Sequence, residues 1–464
     1  MQNWARCTRR EFGCAIGGVL LPRLATAAVK GPWDEPANVK RVYIAVPTPS
    51  WPRPDLDVQA ERSGMEARLA ELERKHAGAV RLTGGELLRT PEDAQAWVKA
   101  LTADVDGVLL IDLTSGTGPM LKVLQQIQVP MLLFARPYSG WSYVEVTGWM
   151  RQGKKAAVLS TSEFGDLDPY MRIFRSIHHL RYSKVLLMRP GTSLPATADA
   201  FKKQYGTDIR LVDYQELKAA FDAADARAAR KAAEDFTRSA LRVVEPRQAD
   251  LEASLRLHMG ITNLLAKERA NAIAIDCLGG FRRGDLPAYP CVSFSKLNDE
   301  GRYGVCEADL LSTMTQLLLT SFSGKPGFVS DPVFDTSRNE IIHAHCVSAT
   351  ALQGVGGPSA PYIVRTHMED NKGVSMQVLV PIGDTVTCGK FLDATRFALS
   401  TGQVVGNVDD PRGCRTKFRT RVADAAKMLE NFSGGLHRVV VFGDYTRAVQ
   451  QMSRLMGFQV IQEC

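Results

Sequence analysis

Short, largely apolar runs, set among helical patterns, constrain the fold of this chain more than any other feature. KRVYIAV (40–46), GVLLIDL (107–113) and VPMLLF (129–134) are such runs, and a strand that is apolar on both sides has to be covered on both sides. Between the first two, residues 58–76 place Met65, Leu69 and Leu72 at helical spacing among charges. A further helix is announced by Thr90 as cap, Pro91 at its first position, and Glu92 and Asp93 in its first turn; Ala96, Val98 and Leu101 follow. Strands alternating with helices predict a parallel sheet with helices on its faces. The pattern then repeats with KVLLM (184–188), a strand-like stretch at 208–212, and a charged, alanine-rich helical stretch at 217–240. A helix over 249–268, with Leu251, Leu255, Met259 and Leu264 on one side, leads to AIAIDC (272–277).

Beyond residue 350 the period changes from helical to alternating. Val374, Met376, Val378 and Val380 alternate before a Gly383, Asp384 turn, and strand-like segments follow at 385–392 and 402–407. This predicts an antiparallel, barrel-like β domain, closed by the strand VVVFG (439–443) and a final helix over 445–456. At 464 residues the chain exceeds what one core organises. The expected fold class is therefore α/β: two Rossmann-like parallel-sheet domains, at 38–183 and 184–334, then an antiparallel β domain at 335–464.

The net charge of +7 arises from 57 basic and 50 acidic residues with no long basic block, which argues against a nucleic-acid partner. Lys417, Arg419 and Arg421 alternate as the solvated edge of a strand would. The adjacent His178 and His179 read as a surface pair, and the Ser115 to Gly118 loop reads as a plain turn. The N-terminus reads Thr8, Arg9, Arg10, Glu11, Phe12, then an apolar stretch from Cys14 to Leu21, then Pro22, Arg23 and Ala25, Thr26, Ala27. This resembles a twin-arginine export signal with an A-x-A cleavage site over residues 1–28. The resemblance implies recognition by the twin-arginine export machinery and a mature chain in the periplasm. The apolar run is shorter than the roughly 20 residues a membrane span needs. Seven cysteines follow the signal (Cys277, Cys291, Cys306, Cys346, Cys388, Cys414 and Cys464) without the tight spacing of a disulfide scaffold or a zinc motif. One bridge is compatible with the compartment, and spacing does not select its pair.

Chemistry-bearing residues concentrate between Cys291 and Cys346, where Glu307, Asp309, Asp331, Asp335, His343 and His345 stand among glycines, prolines and an apolar run. The sequence from 308 to 322 reads as a buried helix with Glu307 at its beginning, where the helix dipole favours an ionised carboxylate. Residues 341–347 read as a strand with His343 and His345 on one face. The residues alone leave two readings open: a divalent-metal site, or acidic loop residues beside a histidine pair satisfied within the protein.

The segments PCVSFSKLNDEG, VCEADL, SDPVFD and HAHC, followed by GGLHRVVVFGD, resemble the L-fucose isomerase and L-arabinose isomerase superfamily, in particular its fucose-isomerase-like members. The resemblance implies that Glu307 and Asp331 are metal-binding carboxylates that also act as the acid/base pair. It makes His437 the C-terminal metal histidine and His345 a further ligand. Leu436 stands where the arabinose branch tends to carry a second histidine. The cofactor implied is Mn²⁺ or another divalent metal, a hard cation suited to carboxylate and imidazole. The function implied is aldose/ketose isomerisation of a free sugar through an enediolate intermediate, in a homo-oligomer. The alternatives are a non-catalytic periplasmic sugar-binding protein of the same fold, and another metal-dependent enzyme that enolises a sugar or sugar acid. Asp309, Asp335 and His343 fall to supporting roles.

Overall fold

The structure is a computed structural model that describes residues 30–464; the twin-arginine-like segment and its cleavage site lie outside the described residues. The chain divides into two compact units, one from Pro32–Arg181 with Arg447–Gln459, the other from Tyr182–Thr446 with Val460–Cys464.

In the first unit, β1 (Ala37–Ile44), β2 (Val80–Leu88), β3 (Gly107–Asp112), β4 (Met131–Ala135) and β5 (Ala156–Ser160) form one sheet in the order β2-β1-β3-β4-β5. All its pairings are parallel. Every residue of β3 is buried, as its unbroken apolar run requires. The helix Pro91–Lys99 starts where its cap chemistry predicts: Thr90 accepts from the Asp93 backbone, and the Asp93 side chain accepts in return. His178 and His179 correct an expectation. Both are buried in the helix Asp168–Tyr182, where His178 Nδ1 lies 2.8 Å from Asp106 Oδ2 and His179 Nδ1 lies 3.1 Å from the Trp33 carbonyl. They fasten the start of the unit to its last helix before residue 182, a long-range partnership that adjacency in sequence does not display.

The second unit opens with β6 (Lys184–Met188), β7 (Asp208–Leu211), β8 (Arg242–Val243), β9 (Ala272–Ile275) and β10 (Tyr303–Cys306). Four of these make a second parallel sheet in the order β10-β9-β6-β7. The single helix expected over 217–240 is two helices, Tyr214–Ala223 and Ala226–Arg238. Ala224 is extended, and Asp225 accepts from the Arg227 and Ala228 backbones to cap the second helix. An aspartate offers that alternative to the helical ladder.

The chain continues through β11 (Phe328–Asp335), β12 (Glu340–His345), β13 (Tyr362–Arg365), β14 (Ser375–Val378), β15 (Thr385–Asp393), β16 (Arg396–Asn407), β17 (Thr416–Arg421), β18 (Arg438–Phe442) and β19 (Gln459–Gln462). Six of them run β15-β18-β11-β12-β17-β16, and β16 pairs back onto β15, so the antiparallel sheet closes into a barrel. Closure removes every free edge. This corrects the reading of Lys417, Arg419 and Arg421 as a solvated edge, because β17 is paired on both sides. Lys417 Nζ donates to the carbonyls of Asp410 and Arg412, and Arg419 Nη1 to Glu340 Oε2 at 3.1 Å. The expected boundary after residue 334 falls inside β11, which makes Asp331 a barrel residue. Among the described residues no helix is long and apolar enough to cross a membrane.

Candidate metal centre

Glu307 and Asp331 reach one place from two sheets. Glu307 follows β10, the end strand of the second parallel sheet, and stands in a turn where it and Ala308 both have positive φ, 58° and 51°. The helix that follows is Leu310–Ser323, and its N-cap is Asp309, whose side chain accepts from the Ser312 backbone. Glu307 therefore does not open the helix, contrary to expectation. The left-handed turn carries it outside the first turn, and Asp309 takes the dipole position. Asp331 comes from the barrel, on β11 opposite Ala344 of β12. His345 ends β12, opposite Thr416. His437 immediately precedes β18, whose Arg438 pairs with Ser330, so the register of two barrel strands sets His437 beside Asp331.

The four side chains converge. His437 Nε2 lies 3.3 Å from Asp331 Oδ1 and 3.6 Å from Glu307 Oε2, and the rings of His345 and His437 are 5.4 Å apart. The first of these contacts is close enough for an ion pair, but it is not aligned as a hydrogen bond. Asp331 Oδ1, His345 Nε2 and His437 Nε2 are all buried, and none has a hydrogen-bond partner among the described residues. Buried polar atoms are almost always partnered. Three unpartnered ones within ligand distance of one another are the geometry expected of a cation site. The Glu307 side chain, 39% exposed, supplies a fourth donor, the second oxygen of the set, on the open side.

A support stands behind the site. Asp309 Oδ2 is 2.9 Å from His437 Nδ1, and the same carboxylate accepts from Ser312 Oγ and from the buried Lys390. A carboxylate on the far nitrogen of a metal-binding imidazole fixes the ring and directs the other nitrogen inward. Lys390 was missed altogether, since β15 carries it 81 residues from Asp309 in sequence. Asp309 had a readable signal, being an aspartate just before an apolar helical pattern.

The electrostatics agree with this arrangement. Burial acts to lower the pKa of His437, but Asp309 and Asp331 outweigh it and raise the value to about 9. Burial acts to raise Asp309, yet His437 and Lys390 hold its carboxyl far below the usual range. Asp331 is likewise held down against burial, by His437 and His345. Burial depresses His345. The Cys346 backbone N–H donates to His345 Nδ1 at 2.8 Å, so the neutral ring carries its proton on Nε2 and directs an N–H into the site.

His343 and Asp335 stand apart from the cluster. His343 bonds Ser330 Oγ at 3.1 Å and Thr420 Oγ1 at 3.0 Å inside the barrel, and Asp335 accepts from Ser337 in the turn after β11. No known family model matches the chain, and no curated protein is similar enough to match it.

Proposed function

We propose that the chain is a metal-dependent aldose/ketose isomerase acting on a free sugar by way of an enediolate. The observation that carries this reading is the meeting of three unpartnered buried atoms, on Asp331, His345 and His437, with the carboxylate of Glu307. Glu307, Asp331 and His437 would hold the ion. His345 would join them if its proton moved to Nδ1, and otherwise it donates a hydrogen bond from Nε2. Carboxylate and imidazole donors suit Mn²⁺, and a bound cation of this kind polarises a carbonyl and lowers the cost of negative charge beside it.

The chain's own residues account for the remainder. Isomerisation moves one proton between C1 and C2 of the sugar and another between O1 and O2. A carboxylate at the open side of the site, Glu307, would accept the carbon-bound proton, and Asp331 is the second acid/base candidate. Asp309 keeps the His437 ring fixed. The export signal and the homo-oligomer belong to the same proposal and rest on the resemblances of residues 1–28 and 277–346.

The test is proton exchange. Purified protein should bind about one Mn²⁺ per chain, as a single set of carboxylate and imidazole donors implies. It should also exchange the C2 proton of one sugar in a panel of aldoses and ketoses with solvent deuterium. Glu307→Gln and Asp331→Asn should each abolish the exchange. Metal binding with no exchange on any sugar would overturn the isomerase reading, and sugar binding in that case would favour the non-catalytic alternative.

A further inference from the structure

Two of the seven described cysteines, Cys277 and Cys306, are in direct contact, and Cys306 lies beside the candidate metal centre. Cys306 is the last residue of β10, next to Glu307, and its register partner on β9 is Ile275. Cys277 lies two residues beyond that partner, at the start of the helix Cys277–Arg283. The two sulfur atoms are 2.7 Å apart and both residues are buried. A disulfide bond is about 2.05 Å long, so bonding requires only a small approach of two side chains at the ends of neighbouring parallel strands, one on β10 and one just past β9. The Cys306 sulfur also lies within 4.8 Å of ligand atoms of both Glu307 and His345. It therefore has two destinations, the thiol of Cys277 or the metal centre.

We propose that Cys277 and Cys306 form a redox pair that sets which class of metal the centre accepts. This inference rests on the metal-site reading above. In the reduced chain Cys306 can add a thiolate to the carboxylate and imidazole donors, and a soft sulfur donor favours Zn²⁺ over Mn²⁺. In the oxidised chain that sulfur is bonded to Cys277, leaving only the oxygen and nitrogen donors that suit Mn²⁺. The oxidant is a low-molecular-weight disulfide. One protein thiolate attacks it and displaces a small thiol, then the second attacks the mixed disulfide and displaces another. The protein loses two electrons and two protons as the S–S bond forms, and the small disulfide gains them as two thiols.

The experiment uses the full chain, reduced with a non-chelating phosphine or oxidised with glutathione disulfide. Peptide mapping of the oxidised protein should yield a peptide linking Cys277 to Cys306, with two fewer free thiols. Absence of that link from folded protein overturns the proposal, as does a bridge found only between Cys346 and Cys414. By titration with Zn²⁺ alone, the reduced chain should bind at least about tenfold more tightly than the oxidised one, the scale on which a perturbed metal shell shows itself. Cys277→Ser should keep the tight zinc affinity with or without oxidant, and Cys306→Ser should show the weak affinity under both conditions. A Cys306→Ser protein that binds zinc as tightly as the reduced chain overturns the sulfur's role. If the 277–306 link forms but neither state binds any metal, the metal-site reading fails and takes the metal clause with it, while the thiol pairing stands.

Discussion

Asp309 holds His437 from behind, with Oδ2 2.9 Å from Nδ1, and the two residues are brought together from 128 positions apart. The carboxylate leaves the inward nitrogen of His437 directed at Asp331 and Glu307. Asp309→Asn should keep the fold but weaken Mn²⁺ binding by roughly 10–100-fold, as expected when the group orienting a ligand is lost. Isothermal titration of the variant against the parent checks this. Unchanged affinity would mean that the ring is positioned by barrel packing alone.

His437 also gives the metal-free protein a pH dependence of definite sign. Its pKa is raised from 6.5 to about 9, so the folded state prefers the protonated ring. The stability gained from that proton is complete below about pH 6.5 and is lost as pH rises through about 9. Thermal unfolding of metal-free protein between pH 6 and 10 should show the decline, and His437→Gln should remove that part of it. Metal binding should release protons across the same window, because imidazole ligates only when deprotonated.

His345 and His437 differ in what occupies their outer nitrogens, and that difference predicts different variants. His437 faces Asp309, whereas His345 Nδ1 receives the Cys346 N–H. His345→Gln retains a donor and should bind Mn²⁺ within a few-fold of the parent while losing most turnover. His437→Gln should lose the metal. Equal loss of metal in both, measured by bound manganese after gel filtration, would show that His345 ligates directly.

Arg438, fully buried at the start of β18, clamps the loop that carries His437. Its guanidinium donates to Glu463 Oε1 at 2.6 Å, to the His437 carbonyl at 2.9 Å and to the Ser433 carbonyl at 2.8 Å. Glu463→Ala would leave a buried, uncompensated charge, and such losses cost about 3–5 kcal/mol. Chemical denaturation should show a loss of unfolding free energy of that size, read as a lower midpoint at unchanged m-value. A loss below about 1 kcal/mol, the scale of an exposed ion pair, would indicate that the backbone carbonyls suffice.

The export proposal is tested at residues 1–28. Changing both Arg9 and Arg10 to Lys should hold the protein in the cytoplasm with its precursor length intact. Continued recovery of shortened protein from the periplasm would remove the twin-arginine route from the proposal.

The strands and their helices were legible because their signals are local. GVLLIDL becomes the wholly buried β3, and Thr90 with Asp93 marks the start of a helix. The alternation past residue 370 announced an antiparallel domain, but closure of the barrel depends on β16 meeting β15, a matter of register that no single segment carries. That is why Lys417 read as an edge residue and is instead bonded inside a continuous wall. At the site, the residue types of Glu307, Asp331, His345 and His437 could be read from motifs, whereas the Asp309 and Lys390 contacts arise only from folding. The left-handed turn at Glu307 was equally invisible, since neither Glu307 nor Ala308 is a residue that advertises positive φ.

The division of the chain into units has a consequence for the order in which it can be made. The N-terminal unit takes in Arg447–Gln459, a segment synthesised only after Tyr182–Thr446 of the other unit. Its sheet can assemble as the chain emerges, but the unit stays unfinished until the intervening Tyr182–Thr446 has been translated. A ribosome-bound fragment halted before residue 447 would present a unit lacking a built-in part, exposed to proteases and chaperones for as long as the rest takes to arrive.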